Sequence, residues 1–132
     1  MKLDISSLKK ATYSLERSLN EYKINPNEFV RDSCIQRFEY TYEIAWKSIK
    51  RFLEEIAPNA NEIDLLTFQE LIREANEKGL LLNDWDTWKV YRIYRGTTSH
   101  AYNEDKANEI YEEIPDFLIE IKFLVKQLEL YI

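Results

Sequence analysis

Residues 37–56 read RFEYTYEIAWKSIKRFLEEI. Apolar side chains recur in this stretch at steps of four, three, four, three and four residues, which is the period of one face of an α-helix. These residues are Phe38, Tyr42, Ala45, Ile49, Phe52 and Ile56. Trp46 and Leu53 widen the apolar face. The stretch therefore predicts a long helix that packs against partner helices.

The composition extends this prediction to the whole chain. The 132 residues include only 2 glycines and 3 prolines, and 45% of them are hydrophobic. So few helix breakers favour long helices over short strands and turns. We therefore expect residues 1–132 to form one all-α domain, an up-and-down antiparallel helical bundle of four to five helices.

The first two helices have recognisable boundaries. Helix one is predicted to run from near Asp4 to about Tyr22, because apolar residues recur there at helical spacing. The pair Asn25-Pro26 predicts the start of the long helix, with asparagine as its cap and proline at the first helical position. The segment 57–60, which contains Pro58, ends that helix.

Local signals also mark the later helices. Thr67 and Glu70 have the spacing of a capping box, and Gly79 predicts the end of the helix that begins there. Asn83 or Asp84 is a candidate cap for the next helix.

The last helical region is expected to be capped by Asn103 or Asp105 and to reach about Tyr131. Pro115 should kink it or restart it.

Charge and cysteine content limit the possible functions and location. The formal net charge of −6 counts against a protein that coats nucleic acid, since such binding depends on Lys and Arg. A small basic patch or a basic protein partner stays possible. The single cysteine, Cys34, permits no intrachain disulfide and fits a reducing cytoplasm. We find no segment typical of a leader or a membrane span, so a cytoplasmic location without membrane contact is expected.

The run Arg95-Gly96-Thr97-Thr98-Ser99-His100-Ala101-Tyr102 is the strongest functional signal. His100 is the sole histidine, and histidine is the residue type best suited to proton transfer near neutral pH. Arginine is suited to holding a phosphate group. A straight helix would point Arg95 and His100 roughly 140° apart. We expect a bend here instead, because Gly96 and three hydroxyl residues form helix poorly.

Several neighbouring features have more than one interpretation. Thr98 or Ser99 can cap the helix that follows. Arg92 lies one turn before Arg95, and Lys89 lies another turn back. The two form a basic stripe toward a site or a solvated face. Trp85, Trp88, Tyr91 and Tyr94 recur every three residues, which suits a core, a dimer interface or a platform for stacking bases.

A polar stripe lies on the long helix. Gln36, Glu39 and Glu43 form a solvated face or line the groove beside the run, and Glu43 is spaced to pair with Lys47. The spacings show neither a metal site nor a glycine-rich phosphate loop.

The pattern R-x4-H-x-Y, together with residues 37–47, 72–75 and 110–115, resembles the nucleotidyltransferase-associated branch of the HEPN superfamily. That branch includes HepT-like toxins and nucleotidyltransferase substrate-binding subunits. The resemblance implies a homodimer, a small nucleotidyltransferase partner, and a ribonuclease site that needs no cofactor or metal. It implies that Arg95 holds the RNA phosphate and His100 transfers protons.

The same resemblance assigns further roles. Arg92, Thr98 and Ser99 would help to bind substrate, and Tyr102 would accept AMP from the partner. Gly96 departs from the polar residue, often Asn, that is usual after the family's arginine. This departure keeps an alternative open, a non-catalytic substrate-binding subunit of the nucleotidyltransferase. A helical adaptor without a site is a third interpretation.

Overall fold

The computed structural model describes residues 3–132, which form α-helices joined by short connections. The helices are α1 (Ser6–Ile24), α2 (Glu28–Ile56), α3 (Asn61–Asp64), α4 (Phe68–Glu77), α5 (Trp85–Gly96) and α6 (Glu104–Glu129). A 3₁₀ helix, Thr98–His100, lies between α5 and α6. The predicted all-α class is confirmed, and the one-turn helix α3 is an element that the sequence pattern did not show.

Four helices alternate in direction to make the bundle. The connection 25–27 folds α2 back along α1. Lys9 near the start of α1 pairs with Glu129 at the end of α6, with 3.6 Å between Nζ and Oε2. Tyr91 of α5 meets Phe117 of α6 edge to face, with ring centroids 5.2 Å apart. The order α1, α2, α5, α6 is thus up-and-down, and α3 and α4 are inserted between α2 and α5.

The predicted apolar face of α2 forms the centre of the core. Phe38, Tyr42, Ala45, Ile49 and Phe52 are all buried. The prediction is wrong for Ile56, which is 38% exposed because it is the last residue of α2.

The side chain of Cys34, which also lies in α2, has no exposed surface. Burial raises the pKa of its thiol, because the thiolate would lose its hydration there.

The start of α2 differs from the sequence prediction. Asn27, not Asn25, is the cap, and its Oδ1 accepts a hydrogen bond from the Val30 amide at 3.0 Å. Pro26 therefore lies in the connection, before the helix begins. The remaining boundary of α2 is as expected, since the helix ends at Ile56 before the segment that contains Pro58.

Helix α4 has the two predicted ends. Thr67 Oγ1 accepts from the Glu70 amide at 3.2 Å, and Glu70 Oε1 accepts from the Thr67 amide at 2.9 Å, so the capping box is confirmed. Gly79 follows the helix with φ of 79°. The amide of Leu80 then reaches back to the Ala75 carbonyl at 3.0 Å, which closes the helix end.

Helix α6 starts after Asn103, one of its two predicted caps, and continues without a break. Asn103 Oδ1 accepts from the Lys106 amide at 3.1 Å. Pro115 lies inside the helix, so the predicted restart is wrong. Its missing N–H deprives only the Tyr111 carbonyl of a helical partner, and the other bonds of the long helix keep it intact. None of the helices in residues 3–132 has the length and apolar character needed to cross a membrane.

Candidate functional site

A buried carboxylate fixes the start of α5, the helix that carries Arg95. Glu120 has no exposed surface and accepts hydrogen bonds from the amides of Leu82 at 2.7 Å and Asn83 at 3.0 Å. It also accepts from Trp88 Nε1 at 3.0 Å. These three donors join the connection before α5, and α5 itself, to the middle of α6. The sequence analysis missed Glu120, although a charged residue on the apolar face of α6 was a usable signal.

The predicted bend after Arg95 is confirmed. Helix α5 ends at Gly96, and the chain tightens into the 3₁₀ helix, where the His100 amide donates to the Thr97 carbonyl at 2.9 Å. Thr98 is buried, and its Oγ1 donates to the Arg95 carbonyl at 3.0 Å. The prediction that Thr98 or Ser99 caps the following helix is wrong, because Asn103 has that role.

Arg95 faces two carboxylates of α2. Its Nε lies 3.1 Å from Glu43 Oε1, and its Nη2 lies 3.7 Å from Glu39 Oε1. The buried Nε–H is not directed at an acceptor, so the contact with Glu43 is an ion pair without a hydrogen bond. Nη1 donates to Thr98 Oγ1 at 3.4 Å. The polar stripe on α2 therefore does line the neighbourhood of the motif.

Glu43 has partners other than the expected one. Its Oε2 accepts from Trp46 Nε1 at 3.0 Å, and its Oε1 pairs with Arg95. Lys47 instead places its Nζ 5.8 Å from the centre of the Trp46 ring. The predicted pair of Glu43 and Lys47 is wrong, because α5 brings a guanidinium group to Glu43 that the local sequence of α2 does not reveal.

His100 and Tyr102 lie together on the surface. Their ring centroids are 6.2 Å apart with 65° between the planes, and Tyr102 is 86% exposed. Ser99 is exposed beside them. Within residues 3–132 no hydrogen bond or ion pair joins His100 to Arg95. The turn thus presents an imidazole and a phenol to solvent, while the arginine before it is held against α2.

The aromatic series on α5 belongs mainly to the core. Trp88 and Tyr91 are 0% and 1% exposed, so neither is free to stack on a base from solvent. Trp85 and Tyr94 are partly buried against the same core. Of the basic stripe, Lys89 and Arg92 are both exposed.

An open pocket of about 360 Å³ lies next to Arg95. The residues around it come from α2, α4 and α5. They are Tyr42, Glu43, Trp46, Phe68, Arg92, Arg95 and Gly96. We call it the arginine–aromatic pocket. Burial raises the pKa of Tyr42 to about 12, so its phenol stays protonated at neutral pH. No group of three or more metal-ligating side chains occurs among residues 3–132.

The comparisons with known proteins agree with this arrangement of helices. Residues 3–130 match the family model described as "Nucleotidyltransferase substrate binding protein like". The chain belongs to this family. A curated relative in Haemophilus influenzae, named "Probable ribonuclease HepT", is 39% identical, and the match covers 96% of this chain and 92% of that protein.

Two solved structures of similar proteins have the same fold. A Haemophilus influenzae protein, described as having the fold of a substrate binding domain of a nucleotidyltransferase, superposes with a TM-score of 0.87. It is 36% identical, and the match covers 96% of this chain and 99% of that one. A Thermus thermophilus protein gives a TM-score of 0.74 at 30% identity, over 92% of this chain and 98% of that one.

Proposed function

We propose that this chain is a HepT-like ribonuclease toxin that works as a homodimer and is controlled by a cognate nucleotidyltransferase. The observation that carries the proposal is the exposed pair His100 and Tyr102 on the tight turn directly after Arg95. The family match and the relative named as a probable ribonuclease support it. The chain acts in the cytoplasm.

The proposed reaction is cleavage of an RNA phosphodiester. A general base takes the proton of a 2′-hydroxyl, and the 2′-oxygen attacks the adjacent phosphorus. The bond to the 5′-oxygen breaks, and a general acid protonates that oxygen. The products are a 2′,3′-cyclic phosphate and a 5′-hydroxyl. Arg95 stabilises the charge on the phosphate as the new bond forms.

The need for both an acid and a base explains the homodimer. Each chain has one histidine, so one copy of His100 supplies one of the two proton-transfer groups. Two motifs facing each other across a two-fold axis supply both groups and two arginines. The exposure of His100 and Tyr102 leaves this turn accessible to a second copy of the chain.

Tyr102 gives the partner a site for control. In the proposed reaction its phenol gives up its proton to solvent, its oxygen attacks the α-phosphorus of ATP, and pyrophosphate leaves. The added AMP places negative charge and bulk beside His100, where the RNA phosphate has to bind. The 86% exposure of Tyr102 gives a transferase access to the oxygen.

One observation favours the alternative, a non-catalytic substrate-binding subunit of the nucleotidyltransferase. Arg95 is paired with Glu39 and Glu43, so the charge that would hold an RNA phosphate is neutralised in the single chain. Cleavage requires a phosphate or a second chain to displace at least one of these carboxylates.

The test is expression of the chain alone in bacterial cells, with growth and RNA integrity as readouts. We expect growth arrest and cleaved RNA, and both should disappear in His100→Ala. Asp105→Asn is the matched control, since Asp105 is exposed near the turn and has no role in the proposed site. Normal growth and intact RNA with folded wild-type protein would overturn the ribonuclease and support the binding subunit.

The control by the partner has its own test. Co-expression with the cognate nucleotidyltransferase should add the mass of AMP to the wild-type chain and restore growth. Tyr102→Phe should stay toxic and unmodified, and an AMP adduct on that variant would show that the modified residue is another one.

A further inference from the structure

We propose that the arginine–aromatic pocket binds one nucleotide unit, with its base against Trp46 and Phe68 and its phosphate at Arg92. This inference deepens the proposed function and rests on it for RNA as the source of the nucleotide. The pocket lies beside Arg95, so a nucleotide bound there places the neighbouring phosphodiester next to the motif.

The rings of Trp46 and Phe68, which we call the aromatic wall, are held in position without a ligand. Trp46 and Phe68 meet edge to face, with ring centroids 6.2 Å apart and 83° between the planes. The hydrogen bond from Trp46 Nε1 to Glu43 fixes the orientation of the indole. Rigid aromatic rings stack on any base, so this wall suits a nucleotide without selecting its sequence.

The charge in the pocket is divided between two arginines with different partners. Arg95 is paired with Glu39 and Glu43, whereas Arg92 makes no ion pair in residues 3–132. The guanidinium carbon of Arg92 lies 4.9 Å from the centre of the Phe68 ring. A cation over an aromatic face still has its N–H groups free at the edge. Arg92 is therefore the residue that offers the pocket an uncompensated positive charge for a phosphate.

Tyr42 adds a polar group at the bottom of the pocket. The residue is 4% exposed and lines the pocket. Its hydroxyl is not among the buried polar atoms of residues 3–132 that lack a hydrogen-bond partner. The phenol is protonated at neutral pH and can donate a hydrogen bond to a base or a ribose in the pocket.

Gly96 keeps the mouth of the pocket open. A Cβ atom built at Gly96 meets no other atom within 4 Å, so the fold itself does not require glycine there. Gly96 lines the pocket, and a larger side chain at this position has free space around its Cβ. A bulky substitution at Gly96 can therefore fill the pocket without disturbing the core, so it tests ligand binding separately from folding.

The experiment is calorimetric titration of the purified chain with AMP, GMP, CMP, UMP and, separately, inorganic phosphate. We expect the nucleotides to bind more tightly than phosphate. Gly96→Leu, Trp46→Leu and Arg92→Gln should each weaken nucleotide binding about tenfold, which is within the range measured for removal of one stacking partner. Arg73→Gln, on the exposed side of α4, is the matched control and should stay within about twofold of wild type.

The source of the nucleotide is tested by competition. An RNA oligonucleotide with 2′-O-methyl groups, which cannot be cleaved, should displace bound AMP if the pocket takes a nucleotide of an RNA strand. If it does not displace AMP while AMP binding still depends on Trp46 and Arg92, the pocket takes free nucleotides and the RNA part of the proposal is overturned.

The remaining outcomes separate this proposal from the ribonuclease itself. The proposal that the pocket binds a nucleotide would be overturned if phosphate and AMP bind with equal affinity, or if Gly96→Leu binds AMP as wild type does. Either result would count against the pocket even if His100→Ala abolishes cleavage. AMP binding that needs the pocket, in a chain that cleaves no RNA, would support the pocket and overturn the ribonuclease. Circular dichroism of each variant shows that it has folded, and Gly96→Leu keeps the test valid if Trp46→Leu does not fold.

Discussion

At the residue scale, Glu120 is a charged side chain with no exposed surface in the described part of the molecule. Its two oxygens take three donors, so the connection before α5 has a fixed position relative to α6. A carboxylate without exposed surface costs free energy unless all its acceptor sites are used. The start of the helix that carries the motif therefore depends on one residue about twenty positions beyond that motif.

The first prediction concerns this residue. Glu120→Gln keeps the shape of the side chain but replaces one carboxylate oxygen with an NH2 group. That NH2 group is a hydrogen-bond donor, and it faces a backbone N–H that is a donor too. We expect the free energy of unfolding to fall by about 1–3 kcal/mol, the usual cost of leaving a buried hydrogen-bonding group unsatisfied. Urea denaturation followed by tryptophan fluorescence measures it. Glu112→Gln, on the exposed side of α6, is the control, and an equal loss in both variants would contradict the role of Glu120.

A second residue-scale prediction follows from the buried phenol of Tyr42. Its pKa is raised from 10.0 to about 12 because the tyrosinate would lose its hydration. The unfolded chain therefore loses the proton first as pH rises. Stability is unaffected below pH 10 and falls between about pH 10 and 12, by about 2 kcal/mol as an order of magnitude.

Tyr42→Phe should remove this part of the alkaline loss, as measured by urea denaturation at pH 8 and pH 11. Tyr91, whose pKa is also raised by burial, contributes a separate loss that persists in the variant. An unchanged difference between the two pH values would show that the Tyr42 phenol reaches solvent when ionised.

The residues of the motif were visible in the sequence, but their partners were not. The spacing of Arg95 and His100 and the weak helix formers between them correctly predicted a bend. The sequence left open that the polar stripe of α2 lines the groove, but it did not show that Glu39 and Glu43 pair with Arg95, since both lie far before it in the chain. The expected partner of Glu43 was its helical neighbour Lys47, and packing of α5 against α2 overrode that local pair.

At the element scale, the helix ends show what local sequence can and cannot predict. Thr67 and Gly79 were predicted correctly, and Asn103 is one of the two predicted caps of α6, because the partners of these residues lie within a few positions. Asn25 and Asn27 flank Pro26 and carry the same local signal, so the sequence alone did not distinguish them.

The prediction at this scale tests the capping box of α4. Thr67→Ala should lower the free energy of unfolding by about 1 kcal/mol, because the Glu70 amide loses its acceptor. Thermal denaturation followed by circular dichroism measures the change. Gln69→Ala in the same turn is the control and should change stability by less than half as much. If the two variants have equal stability, the box does not stabilise the folded chain.

At the scale of the whole molecule, the fold places the exposed turn at one end of α5, where a second copy of the chain has access to it. The net charge of −6 is spread over a surface that does not attract RNA in general. In the proposed function, recognition of RNA then comes from the short segment of Arg92, Arg95 and the turn. This arrangement fits a small site that binds one phosphodiester better than an extended surface that binds a long nucleic acid strand.

The prediction at this scale follows from the proposed two-fold site. If both histidines are needed, ribonuclease activity per chain should fall as the protein is diluted through the dissociation constant of the dimer. Analytical ultracentrifugation over the same concentrations gives that constant independently. Activity per chain that stays constant while the dimer dissociates would show that one chain holds a complete site.

The burial of Cys34 has a practical consequence. It is the single sulfhydryl group of the chain, it has no exposed surface, and its pKa is raised. An alkylating reagent can reach the sulfur only when α2 separates from its neighbours, and the rate of labelling then counts those separations. The rate at which Cys34 is alkylated thus reports how often the helices of the bundle separate. Binding of RNA, a second copy or the transferase should slow this alkylation, and no cysteine has to be introduced to measure it.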